Sequence, residues 1–437
     1  MSFSLKDKTF DEMLSFLREI LQIDTVKSAA SEGKPFGEGN ALCLEKVLDK
    51  AKEMGFETFN CDNYAGHVDF GNGDEIFGIL GHLDVVPAEG KWTYPPFGGE
   101  IKDGVLYGRG VLDDKGPMIA CLYALKQLKD EGFVPSKKIR LIFGCDEESG
   151  WGCMDYYSSK IKLPDVGFSP DGDFPVINVE KGVCHLTMTV DGLPKSIKNI
   201  SGGSRVNIVM DDCFAQIEGD VSVSGCEKTF KDGNTFLRCV GKAAHGSTPQ
   251  YGDNAFKKLA DLLHKIYPEN DCISFVSQKA AADFFGKSWG VNLSDKQSGD
   301  MTINVGKVRT QQGKLLLGLD IRYPVSYTQE QVLDLLKSRS PKGCTFEVNG
   351  SHPPLYVAKD TPLVKTLLEV FEKETGKKAK PLAVGGATYA RALPLGVAFG
   401  PVFEDDEKVI HEKDERVSLD KLRLMMTLYY QAIKKLC

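Results

Sequence analysis

The chain has 437 residues, 42% of them apolar and 26% charged. That is the composition of a soluble globular protein with room for about three domains, and it needs no disulfide or structural metal to stay folded. Lys and Arg number 54 against 61 Asp and Glu, a net charge of −7 that excludes nucleic acid and anionic membranes as main partners. The twelve cysteines form no C-x-x-C pair, and Cys121, Cys145 and Cys239 sit in apolar runs where a free thiol acts as a small hydrophobe. No stretch reaches the ~18 apolar residues of a membrane span, and the N-terminal sequence lacks the pattern of a signal peptide. A cytoplasmic, reducing location is expected.

In chain order, residues 8–22 and 40–54 carry helical periodicity, the second stopped by Gly55. IFGILGH (76–82) and KKIRLIFG (137–144) are short apolar runs suited to buried strands, and the segment 116–132 between them, from Pro117 to Gly132, predicts a helix. Strand, helix, strand is the order of an α/β domain. Beyond residue 182 the texture changes. Strand-like runs at 184–192, 235–241, 302–308 and 314–324 interleave with helical patterns near 253–266 and 328–338, which suggests an α+β unit with an antiparallel sheet. The α/β texture returns with a helix at 361–375, the run 394–401 and a terminal helix at 418–435. The expected division is therefore residues 1–182 and 353–437 for one domain, with 183–352 inserted into it.

Four short segments concentrate acids and a histidine where strands should end: Gly81–Asp84, Gly108–Gly116, Asp146–Gly150 and Pro170–Gly172. Each alone is ordinary. DEE is a common solvated turn, DDKG is good helix-capping chemistry, and a lone His82 fits a structural role. Their conjunction is less ordinary, with His82, Asp113, Glu148 and Asp171 following one another at 31, 35 and 23 residues. Ligands of open α/β sheets bind at the carboxyl ends of strands, and one histidine with several carboxylates suits one or two divalent ions.

GHLDVVP, YGRGVLDDKG, DEESG, SPDGDFPVINVEKG and VIHEKDE together resemble the co-catalytic metallopeptidases that include aminoacylase, carboxypeptidase G and peptidase V. The resemblance is closest to the peptidase V-like dipeptidases and runs over nearly the whole chain. It implies a phosphorylase/hydrolase-like catalytic domain, a mixed central sheet flanked by helices, with an inserted α+β lid domain. It implies two divalent ions, one held by His82, Asp113 and Asp171, the other by Asp113, Glu148 and His411, and a cis peptide at Asp113–Asp114. Zinc is the family default, and the ligand set also admits Mn2+ or Co2+. Glu147 would be the general base on a metal-bridging water, and Asp84 would orient the His82 imidazole.

In the inserted segment the resemblance assigns substrate contacts to His245, as the oxyanion group, to Asn207, and to Arg322, as the carboxylate clamp. Gly385 and Gly386 would let backbone approach the substrate. His67, His185, His264 and His352 match no motif and are expected to be structural or exposed. The run FEDDEKVIHEKDE reads as a solvated loop apart from His411, with Asp414 and Glu415 as further acids near it. The function implied is a monomeric two-metal dipeptidase acting on small peptides with a free N-terminus. An N-acyl-amino-acid amidohydrolase with the same metals and a non-catalytic peptide-binding relative are the alternatives. The presence of Glu147 beside all five ligands argues against the last.

Overall fold

In the computed structural model, residues 5–437 are described. The chain folds as two compact units. The first comprises the chain up to Asn178, Val357–Leu382 and Thr388–Cys437. Residues 1–4 of the expected first domain lie outside the described residues. The second comprises Val179–Tyr356 and Ala383–Ala387. It thus begins ahead of residue 183, ends beyond 352, and takes a short segment from late in the chain. The Lys181 N–H donates to Val384 O at 3.0 Å, which ties that segment to the second unit.

The first unit is built on a mixed sheet. From one edge, six of its strands run in the order Glu57–Cys61, Ala65–Phe70, Lys138–Gly144, Ile76–His82, Val166–Ser169, Leu395–Ala398. The first two pairings are antiparallel and the next three parallel. The run Ile76–His82 is a strand with the bounds its apolar pattern predicts. The segment 116–132 folds as the helix Lys115–Asp130, whose residues from Lys115 to Leu125 are all buried. A helix apolar all round must be covered on all sides. Here the strands Ile76–His82 and Lys138–Gly144 and the helices Asp7–Leu21 and Leu419–Leu436 cover it. Gly132 follows with φ +75°, the left-handed conformation that stops a helix, and Gly55 does the same after Glu38–Glu53.

Asp114 opens the helix Lys115–Asp130 without capping it by its side chain. Its Oδ2 instead accepts the His82 N–H at 3.2 Å. Gly81 permits this approach, because a Cβ there would run into Asp114 Oδ2 and Met118. The Asp113–Asp114 peptide is cis.

The second unit holds an eight-stranded antiparallel sheet in the order Glu227–Lys231, Asn234–Val240, Asp212–Glu218, Ile197–Gly202, Thr302–Gln311, Lys314–Tyr323, Gly182–Val190, Thr345–His352. Along Gly182–Val190 the burial alternates, with Cys184, Leu186, Met188 and Val190 inside, as a half-covered strand requires. The helix Ala255–Ile266 packs on Asp212–Glu218 and Asn234–Val240. Four of these strands, Ile197–Gly202, Asp212–Glu218, Glu227–Lys231 and Thr345–His352, fall outside the strand-like runs expected from the sequence. Thr345–His352 is mostly exposed and Glu227–Lys231 entirely so, as suits the two edges of the sheet.

All twelve cysteines are free thiols, ten of them buried. Among the described residues no helix is long and apolar enough to cross a membrane.

Candidate metal centre

The site forms where parallel strands end. His82 is the last residue of Ile76–His82 and pairs in register with Gly144, the last residue of the neighbouring strand. Glu147 and Glu148 therefore emerge on the turn just beyond Gly144. Asp171 follows the strand Val166–Ser169 on the other side, where Gly172 N–H donates to Gly400 O at 2.7 Å. Asp113 arrives on the loop ahead of the buried helix. His411 comes from the late chain, in left-handed conformation with φ +61°.

These loops gather all five expected ligands. His82, Asp113 and Asp171 form one group and Asp113, Glu148 and His411 another, with the ligand atoms of each group within 4.8 Å of one another. Asp113 belongs to both. Its Oδ1 stands 3.0 Å from His82 Nε2 and its Oδ2 2.8 Å from His411 Nε2. Asp171 Oδ2 lies 3.6 Å from His82 Nε2, and Glu148 Oε1 2.9 Å from His411 Nε2.

The electrostatics favour positive charge. Burial disfavours a charged His82 ring, but the carboxylates of Asp113, Asp171 and Asp84 hold its pKa well above the usual histidine range. His411 is pushed up to about 11, since Asp113 and Glu148 outweigh its desolvation. Burial works against a charged Asp113, yet the two rings draw its pKa below the carboxylate range. Glu148 is raised to about 7 by burial and by Asp113, and Glu147 is raised well above its usual value by burial and by Asp171. Two rings that gather protons among four carboxylates mark a place that stabilises cations. His82 Nε2 is buried and forms no aligned hydrogen bond, although it faces Asp113. Imidazole with carboxylate oxygens is a donor set that fits Zn2+, Mn2+ or Co2+.

Asp84 meets the His82 ring mainly through its main chain. His82 Nδ1 lies 2.9 Å from the main-chain carbonyl of Asp84, while the carboxylate stands 3.5 Å from the same nitrogen. The main-chain oxygen thus orients the ring and leaves Nε2 facing Asp113 and Asp171. The carboxylate instead accepts the main-chain N–H groups of Glu147 and Glu148, at 3.0 and 3.1 Å.

The late acidic run is only partly a solvated loop. Glu415 is fully buried. Its Oε2 accepts from Arg109 NH1 at 2.7 Å and from Gly110 N–H at 3.1 Å, and its Oε1 from Leu112 N–H at 2.8 Å and Asp113 N–H at 3.2 Å. It holds the loop that delivers Asp113. Arg109, inside YGRG, is its missed partner. Only the pairing of a lone Arg with an acid four residues after His411 could have pointed to it.

The second unit brings its own candidates together. Gly246 N–H donates to Asn207 O at 2.7 Å, and Ile208 bridges to His245, so the Asn207 and His245 loops lie side by side. Arg322 NH1 donates to Gly385 O at 2.9 Å, and a Cβ on Gly385 would press on Ser247. Around Gly386 a Cβ would meet nothing within 4 Å. Asp320, fully buried and absent from the sequence reading, grips Arg322 at both Nε (2.7 Å) and NH2 (3.0 Å). The Arg322–Gly385 hydrogen bond and the adjoining Asn207 and His245 loops together involve four of the five expected substrate residues.

Among known families, the profile described as Peptidase family M20/M25/M40 matches residues 78–435, a span that holds all five clustered residues. The chain belongs to this family. A Bacillus subtilis protein named "Putative dipeptidase YtjP" is 37% identical over 454 residues, with 98% of this chain and 97% of that protein covered. An M20 family metallo-carboxypeptidase from Sulfolobus solfataricus shares the fold at TM-score 0.62 and 16% identity, covering 97% of this chain and 99% of its own. The di-peptidase Dug1p from Saccharomyces cerevisiae does so at TM-score 0.59 and 14% identity, with 98% of each chain covered. The fold of this M20 peptidase is thus the mixed α/β architecture expected from its sequence, with the antiparallel unit inserted.

Proposed function

We propose that this M20 chain is a two-metal dipeptidase that hydrolyses short peptides with a free N-terminus. One observation carries the reading: Asp113 presents one carboxylate oxygen to His82 and the other to His411, which makes two adjoining cation sites from five residues. His82, Asp113 and Asp171 would hold one divalent ion and Asp113, Glu148 and His411 the other, with Zn2+ the first choice and Mn2+ or Co2+ admitted by the same ligands. Such ions, when bound, polarise the scissile carbonyl and make hydroxide available near neutral pH.

The chain's own residues supply the rest. Glu147 takes a proton from the attacking water and returns it to the leaving amine. Asp84, through two main-chain N–H groups, keeps Glu147 and its ligand neighbour Glu148 on one rigid turn. His245 donates to the substrate carbonyl oxygen, and Arg322, held by Asp320, binds the C-terminal carboxylate. Asn207 adds a polar contact, and Gly385 and Gly386 offer backbone with no side chain in the way. No covalent intermediate is needed.

We read the protein as a cytoplasmic monomer. The twelve free thiols suit a reducing compartment, and the large inserted unit resembles those that serve within one chain the role of a partner subunit. Turnover of a dipeptide panel beside the matching N-acetyl amino acids tests the reaction. Hydrolysis of free-amine dipeptides is expected, and failure on every one of them would sink the proposal in favour of a deacylase.

A further inference from the structure

Trp151 has φ +63° and ψ +11°, a left-handed backbone that bulky side chains rarely adopt. Two bonds to Asp146 hold it there. Trp151 N–H donates to Asp146 O at 2.7 Å, and the following Gly152 N–H donates to Asp146 Oδ2 at 3.0 Å. The indole packs edge-on against the buried ring of Tyr389 at 5.0 Å between centroids. Tyr389 in turn packs edge-on against His82 at 6.2 Å. The outcome of this arrangement is that the indole Nε1–H donates to Glu147 Oε1 at 3.2 Å.

We propose that Trp151 is a positioning residue for Glu147, acting through this single N–H. An indole nitrogen is a donor only. It can fix one carboxylate oxygen without competing for a proton, and it leaves Oε2 as the oxygen that meets water. Strain at a functional loop is stored where it aims a group, and here it aims the indole. The inference rests on the reading of Glu147 as general base, but its geometric part stands by itself.

Trp151→Phe keeps a ring against Tyr389 and removes the donor. Expected are unchanged metal content, KM within about twofold and kcat lower by about 10-fold or more, the loss of one hydrogen bond to a charged group. The metal-free protein gives a readout independent of turnover. Of the three indole N–H resonances expected from Trp92, Trp151 and Trp289, the one absent from Trp151→Phe should lie downfield in the native chain and move upfield in Glu147→Gln. An unmoved resonance, or full kcat in Trp151→Phe, overturns the proposal. If the resonance moves while Glu147→Gln keeps full activity, the hydrogen bond is real and the base assignment fails, and with it the positioning role. If Trp151→Phe does not fold, Trp92→Phe and Trp289→Phe assign the Trp151 resonance by elimination, and its failure to move in Glu147→Gln overturns the proposal.

Discussion

Asp84 Oδ1 accepts the main-chain N–H of Glu147 at 3.0 Å, and its second oxygen takes the next N–H, that of Glu148. One buried carboxylate thereby fixes the turn that carries both the proposed base and a proposed ligand. The variant Asp84→Asn replaces one acceptor by a donor facing an N–H. A charge-assisted pair of this kind contributes ~1.5–3 kcal/mol, so kcat should fall by about 10- to 100-fold. Steady-state kinetics with metal analysis of the same sample checks this, and a full-rate variant would contradict it.

The shared position of Asp113 predicts unequal metal losses. Asp113→Ala should bind neither ion, since both groups lose a ligand. His411→Ala should keep the ion of His82, Asp113 and Asp171 and lose the other. Metal content by elemental analysis after dialysis distinguishes them; equal stoichiometry in both variants would refute the bridging role.

Glu415 and Arg109 form an ion pair with both side chains almost wholly buried. Removing one partner leaves the other charged and unpaired inside the protein, a change that costs ~3–5 kcal/mol. Glu415→Ala should lower the unfolding free energy by about that amount in a denaturant titration. A loss below about 1 kcal/mol would mean that Glu415 is not the clamp of the Asp113 loop.

His67 gives a pH signature remote from the metal centre. Burial, then the cations of Arg140 and Lys138, lower its pKa to about 4, against the pull of Asp69, and its Nδ1 pairs with the Tyr157 hydroxyl at 2.7 Å. The unfolded chain protonates this ring near ~6.5 while the folded one does not. Its stabilising contribution is therefore complete above about pH 6.5 and is lost as pH falls toward 4, by up to ~3 kcal/mol. Between pH 7 and pH 4.5 the native chain should lose more stability than His67→Gln does. Parallel losses would contradict the assignment.

Four of the five candidate ligand positions, His82, Asp113, Glu148 and Asp171, stand out as short acidic or histidine-bearing segments between predicted elements, whereas His411, in a charged run, and the grouping of the five follow only from the family resemblance. What escaped depended on register and on distant pairing. Asp84 reaches Glu147 and Glu148 only because His82 and Gly144 are neighbours across two parallel strands, a fact no local pattern contains. Glu415 sits among charged residues and reads as solvated, and its burial depends on Arg109, 306 residues earlier. In the second unit, strands such as Ile197–Gly202 and Thr345–His352 have too few apolar positions to announce themselves, since pairing with neighbours rather than their own side chains makes them strands.

Hydrolysis is proposed to depend on two ions held by five residues of the first unit. Metal-stripped protein titrated with Zn2+ and assayed throughout on one dipeptide tests it most directly. Saturation is expected at two ions per chain, with turnover absent at the start and maximal when both are bound. Undiminished hydrolysis by the stripped protein, or saturation with no turnover of any dipeptide, would contradict it.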